Sequence, residues 1–533
     1  MRFAPLTLVA LRMALTAALT VALAFPALAA PPRGFEARAE QLRQKIGTPG
    51  MAIAIVEDGK TTLARGFGMR RLDAPERVDG DTLFPIGSSS KAMTVAALAT
   101  LVDAGKIKWD DRVVDHLPGF QMYDPWVTRE ITIRDLLVHR SGLGMGAGDL
   151  LFVPRSSVPR AEVVRRVRYL KPETSFRSTF AYSNLMYVVA GQLIETVGGQ
   201  RWEDYTREHV LRPAGMRVST TDNVDNFATV NRAYPHARMD GGLRGAGRQE
   251  RLDERDDLGR NAAPAGGVAS SANDLARWLQ LLLGAGATPE GKRVFSAASH
   301  VQMWTPAMTM PADEMPLDLK LMQSQFSNYG LGWDIVDYRG ARMVWHGGAV
   351  FGFKTAIVVL PEKKVAFAIT VNSEDGELVR GLMYELADHY LGLPAADWPS
   401  KFQAFKAQQV KQGLDVLKAS QSNPVRAGPS VPGRALAGTY ADPWYGDIEI
   451  ASSGDGLRVD FKSTPRMAGR LQHWQYDTWI ARFDDHALEP AYLSFAFDKD
   501  GKVERIALKP VSPLADFSWD YADLNFTPRK AAE

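Results

Sequence analysis

Strand-like apolar runs stand at both ends of one long segment of this chain, with helical patterns between them, and this arrangement constrains the fold more than any other feature. Met51 to Val56 and Thr61 to Gly66 read as strands joined by the turn Asp58-Gly59-Lys60. Far downstream, Gly332 to Val336, Arg342 to Trp345, Thr355 to Leu360 and Val365 to Val371 read the same way, the last two flanking the turn Pro361-Glu362-Lys363-Lys364. Helical periodicity marks Glu36 to Ile46, Lys91 to Ala104, Leu185 to Val197, Asn273 to Leu283 and a closing stretch from Leu378 to Leu391. Strands at both ends with helices between them predict an α+β unit over 35–395, one antiparallel sheet built from the two ends of the segment and flanked by helices.

The pattern changes after this unit. A charged helix (Phe402 to Leu417) and the Ser/Pro/Gly stretch SQSNPVRAGPSVPG make 396–433 a helix and linker. From 434 to 530 short alternating segments dominate, such as Asp447 to Ile450, Leu457 to Phe461 and Val503 to Leu508, separated by turns such as Ser453-Gly454-Asp455-Gly456. Strands this short and this evenly spaced predict a small all-β module, a lipocalin-like barrel.

At the other end, residues 1–29 combine Arg2 and Arg12, an apolar run from Met13 to Phe25 and the small-x-small triplet Ala27-Leu28-Ala29, the pattern of a cleaved export signal. The run is shorter than the roughly 18–20 residues of a spanning helix, so no stable membrane anchor is expected. Localisation is therefore predicted as periplasmic or secreted. The chain has no cysteine, which excludes disulfides, thiol catalysis and thiolate metal sites. Its net charge of +2 over 533 residues becomes near neutral once the two signal arginines are removed, which points away from nucleic acid. No cofactor or metal is expected, the partner being a small-molecule or short peptide substrate, and oligomeric state stays open.

Chemistry enters at Gly87-Ser88-Ser89-Ser90-Lys91. Three serines precede a lysine where a helix begins, and backbone N–H groups at such a start favour negative charge. Side chains three apart share a helix face, so Ser88 alone can present its hydroxyl to Lys91. A serine hydroxyl needs a base, and a lysine serves as one only when burial or neighbouring charge lowers its pKa. Alone, the spacing could as well be a helix cap. Two further stretches give it company: Tyr182-Ser183-Asn184 before a helix, and His346-Gly347-Gly348 at the end of a strand. Gly142 to Ala147 imitates a dinucleotide fingerprint but follows no strand, and is set aside.

In this order and spacing the three motifs resemble those of the serine β-lactamase and penicillin-binding-protein superfamily, in the class C-like branch that includes D-aminopeptidases, D-Ala-D-Ala carboxypeptidases and esterases. Ile133 to Leu143, Pro264-Ala265-Gly266-Gly267-Val268, Asp274-Leu275-Ala276 and Tyr329 to Trp333 are similar to that family as well. The resemblance implies that Ser88 forms an acyl-enzyme, Lys91 helps deprotonate it, Tyr182 is partner base and proton donor, and Asn184 orients Lys91 and the substrate amide. It also implies an oxyanion hole from the N–H groups of Ser88 and Ala349, with His346, Gly347 and Gly348 in place of a Lys-Thr-Gly strand motif. Glycines 347 and 348 suit a strand edge that substrate must approach closely. His139, in the family-like Ile133 to Leu143 stretch, reads as structural.

The lysine and hydroxyl with which β-lactamases hold the substrate carboxylate are missing from the strand motif, which favours a peptidase or esterase. The expected function is an exported serine hydrolase acting on an amide or ester, with D-amino-acid peptides one substrate class. The alternatives are a class C-like β-lactamase or D-Ala-D-Ala carboxypeptidase, and a non-catalytic penicillin-binding-like scaffold. A barrel appended to the hydrolase is a feature of the D-aminopeptidase group, where such modules restrict access to the site.

Overall fold

The computed structural model describes residues 31–529 except 312–313, 423–426, 455, 520 and 522. The export signal expected at 1–29 lies outside the described residues.

The chain opens with helix α1 (Phe35–Ile46) and the hairpin β1 (Gly50–Glu57) and β2 (Lys60–Gly68). It then runs through α2 (Lys91–Asp103), α3 (Asn184–Gly198) and α4 (Ala272–Leu283) before it returns to the sheet. The returning strands are β3 (Met308–Thr309), β4 (Ser327–Tyr329), β5 (Asp334–Tyr338), β6 (Ala341–Val350), β7 (Phe353–Leu360) and β8 (Val365–Val371). Together they form one antiparallel eight-stranded sheet in the order β2-β1-β8-β7-β6-β5-β4-β3. The join between the two ends of the segment is β1 against β8, in register from Met51 opposite Val371 to Glu57 opposite Val365.

Burial explains why these strands read as unbroken apolar runs. Every residue of β1 and of β8 is buried. Successive side chains point to opposite faces. Ile53 and Ile55 pack with α1, α5 (Gly376–Leu391) and the start of α6 (Trp398–Ser422). Ala54 and Val56 face the other way, toward α2, α3 and α4. A sheet covered on both faces has no solvated side, so periodicity of two disappears from its central strands.

The helix expected at Phe402 to Leu417 is longer, and it begins inside the core of the sheet unit: Trp398 is fully buried, and Phe402 stacks on Tyr384 at 5.8 Å between ring centroids. The linker-like composition that follows does not apply to this first turn.

The C-terminal region is a closed eight-stranded antiparallel barrel: β9 (Gly438–Asp442), β10 (Gly446–Ser453), β11 (Gly456–Phe461), β12 (Ala468–Gln475), β13 (Thr478–Phe483), β14 (Ala491–Phe497), β15 (Val503–Pro510) and β16 (Asn525–Pro528). Pairing of Tyr440 with Pro528 and Ala441 with Thr527 closes it and removes the sheet edges. Tyr445, Phe461 and Phe526 meet edge to face in its interior. The barrel packs on the helical face of the sheet unit. There Arg166 donates to the carbonyls of Trp444 and Tyr445 at 3.0 and 2.8 Å, and the N–H of Ser157 donates to the Ser463 carbonyl at 3.1 Å.

Candidate active site

The three serines occupy a 3₁₀ turn, Gly87–Ser90, that leads into α2. The sequence reading starts the helix near Ser88; the tighter turn postpones the α-helix to Lys91 and lines up residues three apart, which serves the same pairing. Gly87 has a φ of +54°, and a Cβ there would lie 2.7 Å from the backbone nitrogen of Ala349. A Cβ on Gly348 would lie 1.9 Å from the Ile86 carbonyl oxygen. Only glycine at both positions lets the turn press against strand β6.

Each serine has a different partner. Ser88 Oγ lies 3.0 Å from Lys91 Nζ. Ser89 Oγ donates to the His346 carbonyl at 3.3 Å and so bonds the turn to β6. Ser90 Oγ accepts from the N–H of Val268 at 3.0 Å. Only the first faces the lysine.

Lys91 is fully buried, and Nζ donates to Asn184 Oδ1 at 2.7 Å and to the Ala265 carbonyl at 2.9 Å. It lies over the Tyr182 ring at 4.7 Å from the centroid. Burial lowers its pKa to about 7, against an opposing pull from Asp149. A neutral amine here can spend two hydrogens on Asn184 and Ala265 and turn its lone pair to the Ser88 hydroxyl. The Pro264 to Val268 stretch, quoted above for its family likeness alone, thus supplies the carbonyl that holds the lysine.

Asn184 is the first residue of α3, whose N-cap is the Ser183 side chain accepting from the N–H of Met186. Tyr182 comes just before this cap. Its phenol lies beside Ser88, and burial holds its pKa well above the ordinary value, so it stays protonated. Its ring lies tilted by 31° against His139 at 4.3 Å between centroids, and its carbonyl accepts from the N–H of Gly146 at 3.0 Å. His139 is buried and accepts the Ser183 N–H on Nδ1 at 3.0 Å, which ties its loop to the segment carrying Tyr182.

His346 is placed differently. Its ring is buried, with Nδ1 2.6 Å from the Gly347 carbonyl and Nε2 2.8 Å from the Tyr329 hydroxyl. A carbonyl can only accept, so Nδ1 carries the hydrogen and Nε2 accepts from tyrosine. Burial lowers its pKa to about 3, with Lys91 acting in the same direction, and the imidazole is neutral. Ser88, Lys91, Tyr182 and Asn184 therefore come together, Gly348 and Ala349 flank the serine turn, Gly347 continues that strand, and both ring nitrogens of His346 are committed to Gly347 and Tyr329.

Three residues absent from the predicted set complete the surroundings. Asp149, 1% exposed, accepts from Asn184 Nδ2 at 2.8 Å. From the barrel, Ser518 Oγ donates to the same carboxylate oxygen at 2.8 Å, and the Phe517 ring meets Tyr182 edge on at 5.7 Å. The Gly142 to Ala147 stretch, set aside as a cofactor loop, leads into Asp149, and its Gly146 packs against Phe517.

With a serine hydroxyl on a buried, pKa-lowered lysine and a protonated tyrosine beside it, the site has the parts for acyl transfer. The beta-lactamase family model matches residues 35–391, and a domain-of-unknown-function model, DUF3471, matches 422–528. An unguisins hydrolase of Aspergillus campestris is 30% identical over 75% of this chain and 74% of its own. Penicillin-binding protein 4 of Amycolatopsis lactamdurans is 30% identical over 66% of this chain and 90% of its own. Among solved structures, the octameric penicillin-binding protein homologue from Pyrococcus abyssi superposes with a TM-score of 0.59 at 21% identity, covering 90% of this chain and 98% of that one. The class C beta-lactamase from Rhodobacter sphaeroides gives 0.51 at 20% identity over 67% of this chain and 99% of its own. The protein belongs to the serine β-lactamase and penicillin-binding-protein family, as a β-lactamase-fold serine hydrolase.

Proposed function

We propose that the protein is an exported hydrolase that cleaves an amide or ester, peptides containing D-amino acids among them, through an acyl-enzyme on Ser88. The observation that carries this reading is the 3.0 Å contact between Ser88 Oγ and a fully buried Lys91 Nζ. Neutral Lys91 takes the hydroxyl proton as Oγ attacks the carbonyl carbon. The N–H groups of Ser88 and Ala349 receive the oxyanion, a role supported by the closeness of Gly87 to Ala349. Collapse breaks the bond to the leaving group, which takes a proton from Tyr182, and Lys91 returns one to the phenol. Water then attacks the ester, with the same groups acting in reverse. Because burial keeps Tyr182 protonated, the geometry favours it as donor and Lys91 as base.

Strand β6 carries His346, Gly347 and Gly348, and it offers neither a lysine nor a hydroxyl to a substrate carboxylate, which favours peptide or ester over β-lactam substrates. Two curated relatives named as unguisins hydrolases support a hydrolytic role. Phe517, lying against Tyr182, supports a barrel that narrows access.

The test is initial rates of the mature protein and its Ser88→Ala variant on a D-alanine anilide, a short-chain phenyl ester and a chromogenic cephalosporin. Ser88-dependent turnover of the anilide or ester, with the cephalosporin slow, is expected. Fast Ser88-dependent opening of the cephalosporin would instead make the protein a β-lactamase, and no Ser88-dependent turnover would overturn the hydrolytic reading.

A further inference from the structure

The hydrogen-bonded chain that starts at Ser88 does not end at Asn184. It continues from Asn184 Nδ2 to Asp149 Oδ2 at 2.8 Å, and from there to Ser518 Oγ, also at 2.8 Å. Asp149 opens the 3₁₀ turn Asp149–Leu151 behind Gly148, whose φ of +81° is in the left-handed region. Ser518 sits in the short turn Phe517–Trp519, in the connection between β15 and β16 of the barrel. Asp149 and Ser518 are both buried, at 1% and 8% exposure.

The two ends of an asparagine amide are nearly identical in shape, so packing alone does not decide which faces Lys91. Hydrogen bonding does. Asp149 Oδ2 accepts from Ser518 as well as from Asn184, so Asp149 takes the NH₂ end on its side and turns the oxygen toward Lys91, as observed at 2.7 Å. Were the amide reversed, an N–H would face the donating Lys91 amine and a carbonyl the Asp149 oxygen that accepts from Ser518, two repulsive contacts in a buried place. With the oxygen facing it, Lys91 has two fixed acceptors, Asn184 and Ala265, and its third direction falls on Ser88. The Ser518 hydroxyl shares Oδ2 with the Asn184 amide, which fixes the rotation of the carboxylate.

We infer that Asp149 is a positioning residue that sets the Asn184 amide and, through it, Lys91, and that Ser518 holds Asp149 in place, so that the barrel is a working part of the nucleophile's network. This rests on the hydrolytic reading for its effect on turnover, but not for its effect on Lys91. The charged and titratable groups facing Lys91 are Asp149, His139, His346, Tyr182 and Tyr187, and those facing Asp149 are Lys91, Asp516 and Tyr182. Of these Asp149 is the one that raises the lysine's pKa.

The experiment uses the full-length mature protein and its Asp149→Asn, Ser518→Ala and Ser518→Thr variants. Lys91 is titrated by carbon-13 NMR of labelled lysine side chains, its resonance assigned by its loss in Lys91→Arg. Steady-state rates per titrated active site are measured on whichever substrate turns over. Asp149→Asn is expected to move the Lys91 titration to lower pH and to cut kcat by at least about tenfold while KM changes less, as loss of an orienting group does. Ser518→Ala is expected to cut kcat by roughly 3–10-fold, the scale of one hydrogen bond, with Ser518→Thr restoring most of it. An unmoved Lys91 titration in folded Asp149→Asn would overturn the role of Asp149. Unchanged kcat in Ser518→Ala would remove the barrel from the network. A shifted titration without Ser88-dependent turnover of any substrate would leave the positioning intact and count against the hydrolytic reading.

Discussion

The sheet unit and the barrel are both antiparallel, yet their strands are built on different plans. Strands β1 and β8 are buried along their whole length, between two helical layers. In the barrel, β11 alternates exposed or half-buried positions with buried ones, and β12 is largely exposed or half-buried. A strand clamped on both faces cannot shift without disturbing two cores, so it is a rigid base for a site that needs sub-ångström placement. A barrel with one packed face has its outer side free to cover a neighbour. Here it covers the site with two side-chain tips, Phe517 and Ser518. Substitutions on the sheet side should therefore strike the chemistry itself, and those on the barrel side its efficiency or the stability of the contact.

The largest effect is expected from Ser88→Ala, a loss of at least about 10⁴-fold in kcat with the fold intact by circular dichroism, because Ser88 carries the hydroxyl that is hydrogen-bonded to Lys91 Nζ among the described residues. Tyr182→Phe should cost about 10²–10⁴-fold, the range for a lost proton donor. Gly348→Ala belongs with these although it removes no functional group: its Cβ would lie 1.9 Å from the Ile86 carbonyl, so the turn and β6 must part. Gly348→Ala with wild-type kcat would show that the seat of the serine turn on β6 does not set the geometry.

Lys91 must be neutral to act as base, and burial brings its pKa down to about 7 while burial raises that of Asp149 to about 7. Activity should therefore rise with pH through an acid limb near 7, and that limb belongs to the Lys91–Asp149 pair. A limb near the ordinary carboxylate range, read from kcat/KM against pH, would rule Lys91 out as the base.

How legible all this is from sequence follows the same divide. Ser88 and Lys91 are three apart, Tyr182 and Asn184 two apart, so local geometry and family likeness together bring out the four. The middle of the antiparallel sheet is readable because its strands are long and apolar, whereas β3 (2 residues) and β4 (3 residues) are too short to carry a period. Asp149 stayed hidden because it follows a glycine-rich stretch that resembles a cofactor loop, and its partner is named only by folding. Ser518 lies 369 positions from Asp149 and has no neighbouring motif, so no periodicity could pair them. His346 was placed on the right strand, but its ring orientation depends on Tyr329, a contact that sequence spacing does not specify.

Smaller effects separate stability from chemistry. Ser90→Ala would leave the N–H of Val268 without its acceptor in a buried place, a cost of roughly 1–3 kcal/mol seen as a lower Tm, with most activity kept. Ser89→Ala should cost less, its hydrogen bond being long at 3.3 Å.

The smallest effect on chemistry is expected from Arg166→Ala, at the contact between the two regions. Its guanidinium spans Glu162 on one side and the carbonyls of Trp444 and Tyr445 on the other. Loss of these charge-assisted hydrogen bonds should cost roughly 1–3 kcal/mol, because the two carbonyls lose a charged donor at a partly buried contact. None of this touches the Ser88 turn. The variant should therefore unfold at lower temperature with kcat per active site unchanged, since Ser157 and the Phe517–Ser518 tips still fasten the barrel. If kcat falls along with Tm, Phe517 and Ser518 are not held in place by their own contacts, and the barrel's grip on the site depends on the whole interface rather than on its two tips.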